Sequence, residues 1–584
     1  MTELFEVEDR HDHRIAVGAT GLLATFNQGG LLSAADVHAA SRICALSGES
    51  DPEVALAVAV TVRAARHGSV CVDLAGLAGL AGAEDLPWPE TADWEDRIAA
   101  SPLMTAGVLR REGGLLYLDR FWREEGQVRD DLLARIGAPA PPVDEAALAA
   151  TVDRLFPEGY DEQRAAALAA ARQWTTVLTG GPGTGKTTTV AGLLALLTQQ
   201  ADRPLRIALT APTGKASARL QQAVEEAQAE DRFSDADRAR LSGLAASTLH
   251  RLLGWSPGSR NRFRHHRRNK LPHDVVVVDE TSMVSLTMMA RLLEAVRPDA
   301  RLVLVGDADQ LASVEAGAVL ADLVQGLAGR APSAVTGLRT THRFGESIGA
   351  LAESLRQGDA DRALDLLTGG DERISLVDPA EHAEVLRARL LEHALAVRSA
   401  ALAGDADGAL AAMDAHRLLC AHRDGPYGVA HWNRLTERLL SDSVLGDQSV
   451  WQEWYAGRPL LVTANDYGLG LFNGDTGVVV REGDRLRGVI AGAGTHQRLA
   501  TARLGAVDTL HAMTIHKSQG SQVGEVTLLL PPEDSPLLTR ELFYTAVTRA
   551  KERVHVVGTP ESVIAAVERR AQRATGLAQR LTSD

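Results

Sequence analysis

The sequence predicts an α/β protein with two doubly wound parallel-sheet domains, a small β-barrel inserted in the second, and a small α/β domain ahead of both. Three observations predict it. Between residues 160 and 330, four short β-branched runs alternate with stretches of helical spacing, the pattern that strand–helix–strand units leave in a chain. A second set of such runs follows residue 334. From 454 to 506 the sequence turns glycine-rich, with short strands around an Asn473-Gly474 turn, which reads as the inserted barrel.

Length and composition set the frame. A chain of 584 residues holds several cores, and 45% apolar with 23% charged residues is the balance of a soluble globular protein. No apolar run approaches the ~18 residues of a membrane span. The acidic, polar N-terminus is unlike a signal peptide. Cys44, Cys71 and Cys420 lack metal-ligand spacing and read as reduced, buried thiols of a cytoplasmic protein. A net charge of −15 argues against indiscriminate coating of nucleic acid, though not against a local basic channel. Residues 260–270 carry six Lys or Arg, two His and no acid, and read as a solvated loop, as a contact with nucleic-acid phosphates or as a partner-docking surface.

Residues 1–137 form the N-terminal domain, with helices expected at 33–46, 52–66 and 122–136 and strands at 69–74 and 114–118. Nothing there has catalytic spacing, so the domain reads as a packing or partner-docking unit. The proline-rich stretch 138–144 opens a linker that runs to residue 150. The first sheet domain is placed at 151–333. Asp161 starts its alanine-rich first helix, and Gln163, one helix ahead of a phosphate loop, is a candidate reader of an adenine edge.

That loop fixes the chemistry. After a strand at 175–178, residues 180–187 (GGPGTGKT) match G-x-x-x-x-G-K-[ST] at every fixed position. Glycines let backbone N–H groups turn onto phosphate oxygens, and the following helix offers its positive N-terminus to the same anion. The phosphate contacts span Gly181, Pro182, Gly183, Thr184, Gly185, Lys186, Thr187 and Thr188. Lys186 can reach the β- and γ-phosphates, and Thr187 can ligate Mg²⁺. The chain therefore binds a nucleoside triphosphate.

Further strands are expected at 205–209, 275–278 and 301–305, with a helical stretch at 221–240. Thr213 and Lys215 follow the carboxyl end of the first of these, where open α/β sheets hold ligands. Four valines at 275–278 mark a strand buried on both faces. Asp279 and Glu280, at its end, would repel each other without a cation. Asp279 reads as the Mg²⁺ carboxylate and Glu280 as the base for the attacking water. Gln310, beyond the fourth strand, could sense the γ-phosphate. The second sheet domain is placed at 334–584, with strands at 417–421 and 525–530 and an SH3-like barrel at 454–506. From it, Arg343 and Arg549 could point at the first domain's nucleotide and stabilise transition-state charge.

In order, GGPGTGKT, LTAPTGKA, STLHRLLGW, VVDETSM, GDADQL, THRF, TIHKSQGSQ and YTAVTRAK resemble the motifs of superfamily 1 DNA helicases over residues 160–555. They are most similar to those of the RecD family, the α subunits of exodeoxyribonuclease V. The resemblance implies two RecA-like motor domains with ATP and Mg²⁺ between them, single-stranded DNA across their top, and 5′-to-3′ translocation. It implies RecB-like and RecC-like partners in a heterotrimer acting at DNA ends. It also makes Arg343 and Arg549 arginine fingers, couples Gln310 to motion, and puts Gly520 at the nucleotide. Thr213, Lys215, Thr248, His250, Thr514 and His516 match positions that face DNA. Residues 116–125 resemble the family's docking domain. The phosphate loop begins at Gly180, too early for the long N-terminal extension of a standalone helicase. No carboxylate–lysine nuclease cluster is present, so any nuclease would belong to a partner. Two other readings stay open: a standalone helicase of the same superfamily, and a nucleotide-switched clamp that does not translocate.

Overall fold

The computed structural model describes residues 12–80, 83–255, 262–340, 346–443, 452–466, 468–492 and 496–582. Two parallel sheets dominate it, as the alternation predicts. The first has the spatial order Ala246–Thr248, Ile207–Ala211, Val275–Val278, Arg301–Gly306, Thr175–Gly180 and Val335–Leu338, every neighbouring pair parallel. Successive residues of a strand point to opposite faces, and the four valines obey this. Val275 and Val277 join Leu193 and Leu196 of the Lys186–Gln199 helix on one face. Val276 and Val278 join Leu292 and Leu293 of the Leu286–Ala295 helix on the other.

The first sheet has two strands more than the four expected. Val335–Leu338 pairs with Thr175–Gly180, so this sheet continues past the boundary set at 333. A four-residue strand containing glycine gives little pattern to read. The helical stretch expected at 221–240 is two helices, Gly214–Gln228 and Asp235–Leu241, the second capped by Ser234.

The second parallel sheet runs Ile374–Val377, Ala550–Val557, Val523–Leu529, His416–Cys420 and Ala512–Thr514. Between its strands lies the glycine-rich segment. It forms a five-stranded antiparallel sheet in the order Gln497–Ala500, Arg485–Ile490, Thr476–Glu482, Pro459–Val462 and Val507–Thr509. Leu460, Val479, Ile490 and Leu499 fill one face of it. Gly474 takes φ 95° at the third place of the 472–475 turn, where a type II turn needs glycine, whereas a two-residue Asn-Gly hairpin would put Asn473 at positive φ as well.

The N-terminal domain sets the helices Ala34–Ser47, Pro52–Arg66 and Asp119–Ile136 around a three-stranded antiparallel sheet. Its Leu109–Glu112 strand reads LRRE, too polar for a strand signal. The long Asp119–Ile136 helix docks on the first sheet domain. There Arg135 donates to the carbonyl of Arg297 (2.7 Å) and to Thr175 Oγ1 (2.8 Å). The C-terminal residues, placed in the second sheet domain by their position, return instead to the first. Arg573 donates to the carbonyls of Glu315 (3.0 Å) and Gly317 (3.3 Å). The Leu577–Thr582 helix packs with Leu323 and Leu327, and Arg580 pairs with Glu125 of the N-terminal domain at 3.2 Å. Among the described residues no helix is long and apolar enough to cross a membrane, and the three cysteines are free and buried.

Four imidazoles are packed into the second sheet domain. His416 lies edge-on to His393 at 5.1 Å and bonds Thr527 Oγ1 at 2.8 Å. His511 bonds Tyr455 Oη at 3.0 Å, and His555 bonds Ser375 Oγ at 2.8 Å. Burial first, and then cations such as Arg417 and Arg389, keep them neutral. His393 and His555 are pushed down to about 4, His511 to about 3, and His416 well below its ordinary value. With native values below those of the unfolded chain, the unfolded state takes up protons that the native state refuses. Stability is therefore whole above about pH 6.5 and drains as pH falls toward 4. The expected result is a thermal midpoint that drops steeply across that window, with a shallower pH slope in His416→Gln, read by circular dichroism.

Candidate nucleotide and nucleic-acid sites

The phosphate loop joins the Thr175–Gly180 strand to the Lys186–Gln199 helix, and Gly183 (φ 83°) and Gly185 (φ 84°) give it the left-handed turns that side chains resist. Thr184 Oγ1 closes the loop onto the Gly181 carbonyl at 2.8 Å. Gln163 is buried beneath it and donates from Nε2 to the Thr184 carbonyl at 2.9 Å. It props the loop's backbone. Pro182 lies within the loop, and Thr187 and Thr188 within the helix's first turn. Lys186 Nζ donates to the carbonyls of Gly180 (2.6 Å) and Gly181 (2.9 Å). Burial lowers its pKa, opposed by the charges of Asp307, Glu280 and Asp279. One ammonium thus faces three carboxylates.

Asp279 and Glu280 follow the Val275–Val278 strand. Burial, and then the Glu280 charge, push the Asp279 carboxyl up to about 6, while its Oδ1 accepts the Glu280 N–H at 2.9 Å. Glu280 has φ 50°, the one positive φ outside glycine among the described residues. Backbone strain of this kind gathers where a side chain must be aimed. The raised Asp279 pKa means that the native fold is penalised above about pH 6 and relieved below it. Asp279→Asn is expected to stabilise the nucleotide-free chain by about 1–3 kcal/mol at pH 7.5. The gain should vanish near pH 4, as paired thermal melts would show.

Asp307, at the end of the Arg301–Gly306 strand, is buried and accepts from Gln310 Nε2 (2.8 Å) and from Tyr544 Oη (3.0 Å). Tyr544 comes from the second domain's Arg540–Val547 helix. On the same side, Arg549 is buried and donates to the Thr545 carbonyl (3.0 Å) and Thr548 Oγ1 (3.2 Å). Burial lowers its pKa, and Glu280 and Asp307 of the first domain pull the other way. Two further bonds close the seam: Leu311 N–H to Thr545 Oγ1 (2.9 Å) and Gln519 Nε2 to the Leu311 carbonyl (2.8 Å). Gly520 (φ 72°) lies against Ala216, and its carbonyl accepts from Arg219 at 3.3 Å. Arg343 lies outside the described residues.

The donor set fits a magnesium–nucleoside triphosphate. Ser282 Oγ and Gln310 Oε1 are buried with no hydrogen-bond partner among the described residues, and the crowded carboxylates call for a cation. Among the described residues no group of three or more His, Cys, Asp or Glu could hold a metal alone. Mg²⁺ arriving with phosphates needs only one or two protein ligands, a number that the Thr187 hydroxyl and the Asp279 carboxylate would meet.

A groove of about 1480 Å³ runs past the strand ends of the first sheet, lined by Thr213, Thr248, His250, Arg251, Trp255 and Phe472 among others. Thr213 and Thr248 also cap helices, accepting the N–H groups of Ala216 (3.2 Å) and Arg251 (3.3 Å). Burial lowers the His250 pKa, which keeps the ring neutral 6.0 Å from Phe263. Lys215 opens instead on a second cleft of about 700 Å³, with Arg219, Arg417 and Arg549. Burial and then Arg417 bring its pKa down to about 8. Thr514 is buried and caps the short Ile515–Ser518 helix, and burial pushes the neighbouring His516 down to about 4. In the basic run, Arg267 pairs with Asp131 of the N-terminal domain (2.8 Å), and Lys270 Nζ donates to the Glu294 carbonyl (2.9 Å). Sequence reading passed over Asp307, Tyr544 and Arg219. The first two stand inside quoted motifs, GDADQL and YTAVTRAK, and only the contact between them reveals their part.

Residues 28–117 match the family described as RecBCD enzyme subunit RecD, N-terminal domain. Residues 159–378 match an AAA domain and 509–557 a UvrD-like helicase C-terminal domain. A Mycobacterium tuberculosis protein named RecBCD enzyme subunit RecD is 60% identical over 579 residues, 98% of this chain and 99% of that one. The ATP-dependent RecD2 DNA helicase of Deinococcus radiodurans is 33% identical over 489 residues, 82% of this chain and 60% of that one. A solved structure of Pif1 helicases has 17% identity and a TM-score of 0.40, covering 69% of this chain and 93% of that one.

Proposed function

The chain belongs to the RecD family of RecBCD enzyme subunits, and from that premise we propose that it is an ATP-driven 5′-to-3′ single-stranded DNA translocase and helicase subunit. It works at DNA ends in break repair with RecB-like and RecC-like partners, in the cytoplasm. One observation carries this reading: Lys186 of the first domain and Arg549 and Tyr544 of the second converge on one acidic cluster around buried Asp307. The two parallel sheets are RecA-like motor domains, and the inserted antiparallel sheet is an SH3-like barrel.

Magnesium–ATP supplies the transferable phosphoryl group and the charge that draws the two domains together. Lys186 exchanges the Gly180 and Gly181 carbonyls for phosphate oxygens. Thr187 and Asp279 would hold the metal. Glu280, aimed by its strained backbone, takes the proton of the attacking water. Arg549, with Arg343, stabilises the charge that develops on the phosphoryl oxygens. Gln310 and Tyr544 share Asp307, so a change at the nucleotide alters a bond across the seam. Opening and closing of that seam shifts the first domain's groove wall relative to the inserted sheet, which is what stepping along a strand requires.

The 60% identity to the M. tuberculosis RecBCD subunit, against 33% to the D. radiodurans helicase, supports a subunit over a standalone enzyme. The test is strand displacement on forked DNA carrying one tail polarity at a time, with and without partner chains. A 5′ tail should be required, and ATP turnover should rise strongly with single-stranded DNA. Slow turnover indifferent to DNA would mark a switch instead of a motor.

A further inference from the structure

One wall of the large groove belongs to the N-terminal domain. Facing Thr248 and His250 of the first sheet domain and Phe472 of the inserted sheet, it is lined by Arg66, Arg120 and Phe121. Their placement is fixed by packing. Arg120 Nη2 donates to Thr287 Oγ1 at 2.9 Å, and Gln127 Nε2 donates to the Ala290 carbonyl at 2.8 Å. Both bonds join the Asp119–Ile136 helix to the Leu286–Ala295 helix of the first sheet domain. Phe121 rests against the shared core of the two domains, and the Arg120 guanidinium lies 5.5 Å from its ring centre.

The charge and shape of this lining point to a ligand. Arg66, Arg120, Arg251 and Arg291 line the groove with Glu315 and Asp475; behind the lining Asp36 pairs with Arg66 at 2.8 Å and Glu294 with Arg291 at 2.7 Å, which leaves Arg120 and Arg251 as the guanidinium groups turned to the groove. Arg120 keeps 53% of its side chain exposed. Its carboxylate partner, Glu124 at 3.3 Å, is also held by Thr287 at 2.6 Å and approached by Arg291 at 3.7 Å. Glu124 would thus stay paired if Arg120 swung to a phosphate. Four aromatic rings, Phe121, Trp255, Phe263 and Phe472, line the same space. Guanidinium groups for phosphates beside ring faces for unpaired bases are what a single strand requires, whereas a duplex hides its base faces.

We propose that the N-terminal domain, beyond docking partners, grips single-stranded DNA through Arg120 and Phe121. The contact rests on the helicase reading for its ligand. It is bonded to the first sheet domain and travels with it, which lengthens that domain's hold on the strand relative to the second's.

Binding of oligo-dT to the full chain, followed by fluorescence anisotropy over a salt series, tests this. Arg120→Ala should reduce the slope of log K against log[salt] by about 0.7, the value of one single-strand phosphate contact. Arg120→Lys should restore it. Phe121→Leu should weaken binding with the slope kept. Oligo-dT carrying 5-iodouracil should photo-crosslink to the wild-type chain within residues 119–123, a readout that needs no variant to fold. Unchanged affinity and slope in both variants, or crosslinks confined to the two sheet domains, would overturn the proposal. DNA-stimulated ATP turnover without the crosslink removes this wall alone. The crosslink without DNA-stimulated turnover keeps the wall and removes the motor.

Discussion

Lys186→Gln is expected to cut ATP turnover by about 10²–10³-fold or more, the scale of losing one donor aimed at transition-state charge, with the fold intact. The reasoning starts from what the ammonium does in the chain alone. It is half-buried, donates to two loop carbonyls, and faces Asp307, Glu280 and Asp279. Glutamine can keep a bond to one of those carbonyls, so the loop holds its shape. It cannot bring a positive charge to the phosphates. Phosphate release measured at saturating single-stranded DNA, beside a thermal melt, checks both halves. Normal turnover in this variant would show that the nucleotide is hydrolysed elsewhere.

Arg549→Ala should lower kcat by about 10³-fold or more while nucleotide affinity changes far less. Arg549 belongs to the second domain, and its charge meets Glu280 and Asp307 across the seam. Nucleotide can therefore settle on the first domain's loop without it, and its loss is felt when phosphoryl charge develops. Its three donor contacts are to Thr545, Thr548 and Ser521, all in its own domain. Removing it thus leaves the seam bonds from Tyr544 and Gln519 in place. A fluorescent nucleotide analogue gives the affinity and steady-state turnover gives kcat. Equal losses in both would mean that Arg549 serves only to bind.

The parallel sheets were legible because buried strands leave an unmistakable trace: Val275–Val278 appears where four valines placed it. The Pro52–Arg66 helix matches its expected bounds because Asp51, a proline at the first position and a terminal Arg66 mark both ends. Short strands without such marks escaped, among them Ala246–Thr248 and Val335–Leu338. Around the phosphate loop, fixed spacing let Lys186, Asp279 and Glu280 be singled out one segment at a time. Tyr544 on Asp307, or Arg219 on Gly520, could not be read that way. Each is a meeting of residues hundreds of positions apart, and no local pattern encodes the encounter. The C-terminal residues escaped for the same reason, since nothing in their composition says which domain they return to.

That return has a mechanical consequence. The backbone passes from the first sheet domain to the second after Val335–Leu338, and passes back between the Pro560–Glu568 helix and Arg573, which is fastened to Glu315 and Gly317. A body tethered at one point can twist and slide freely. Tethered at two, it is left with a swing about the line through both, like a gate on a pair of hinges.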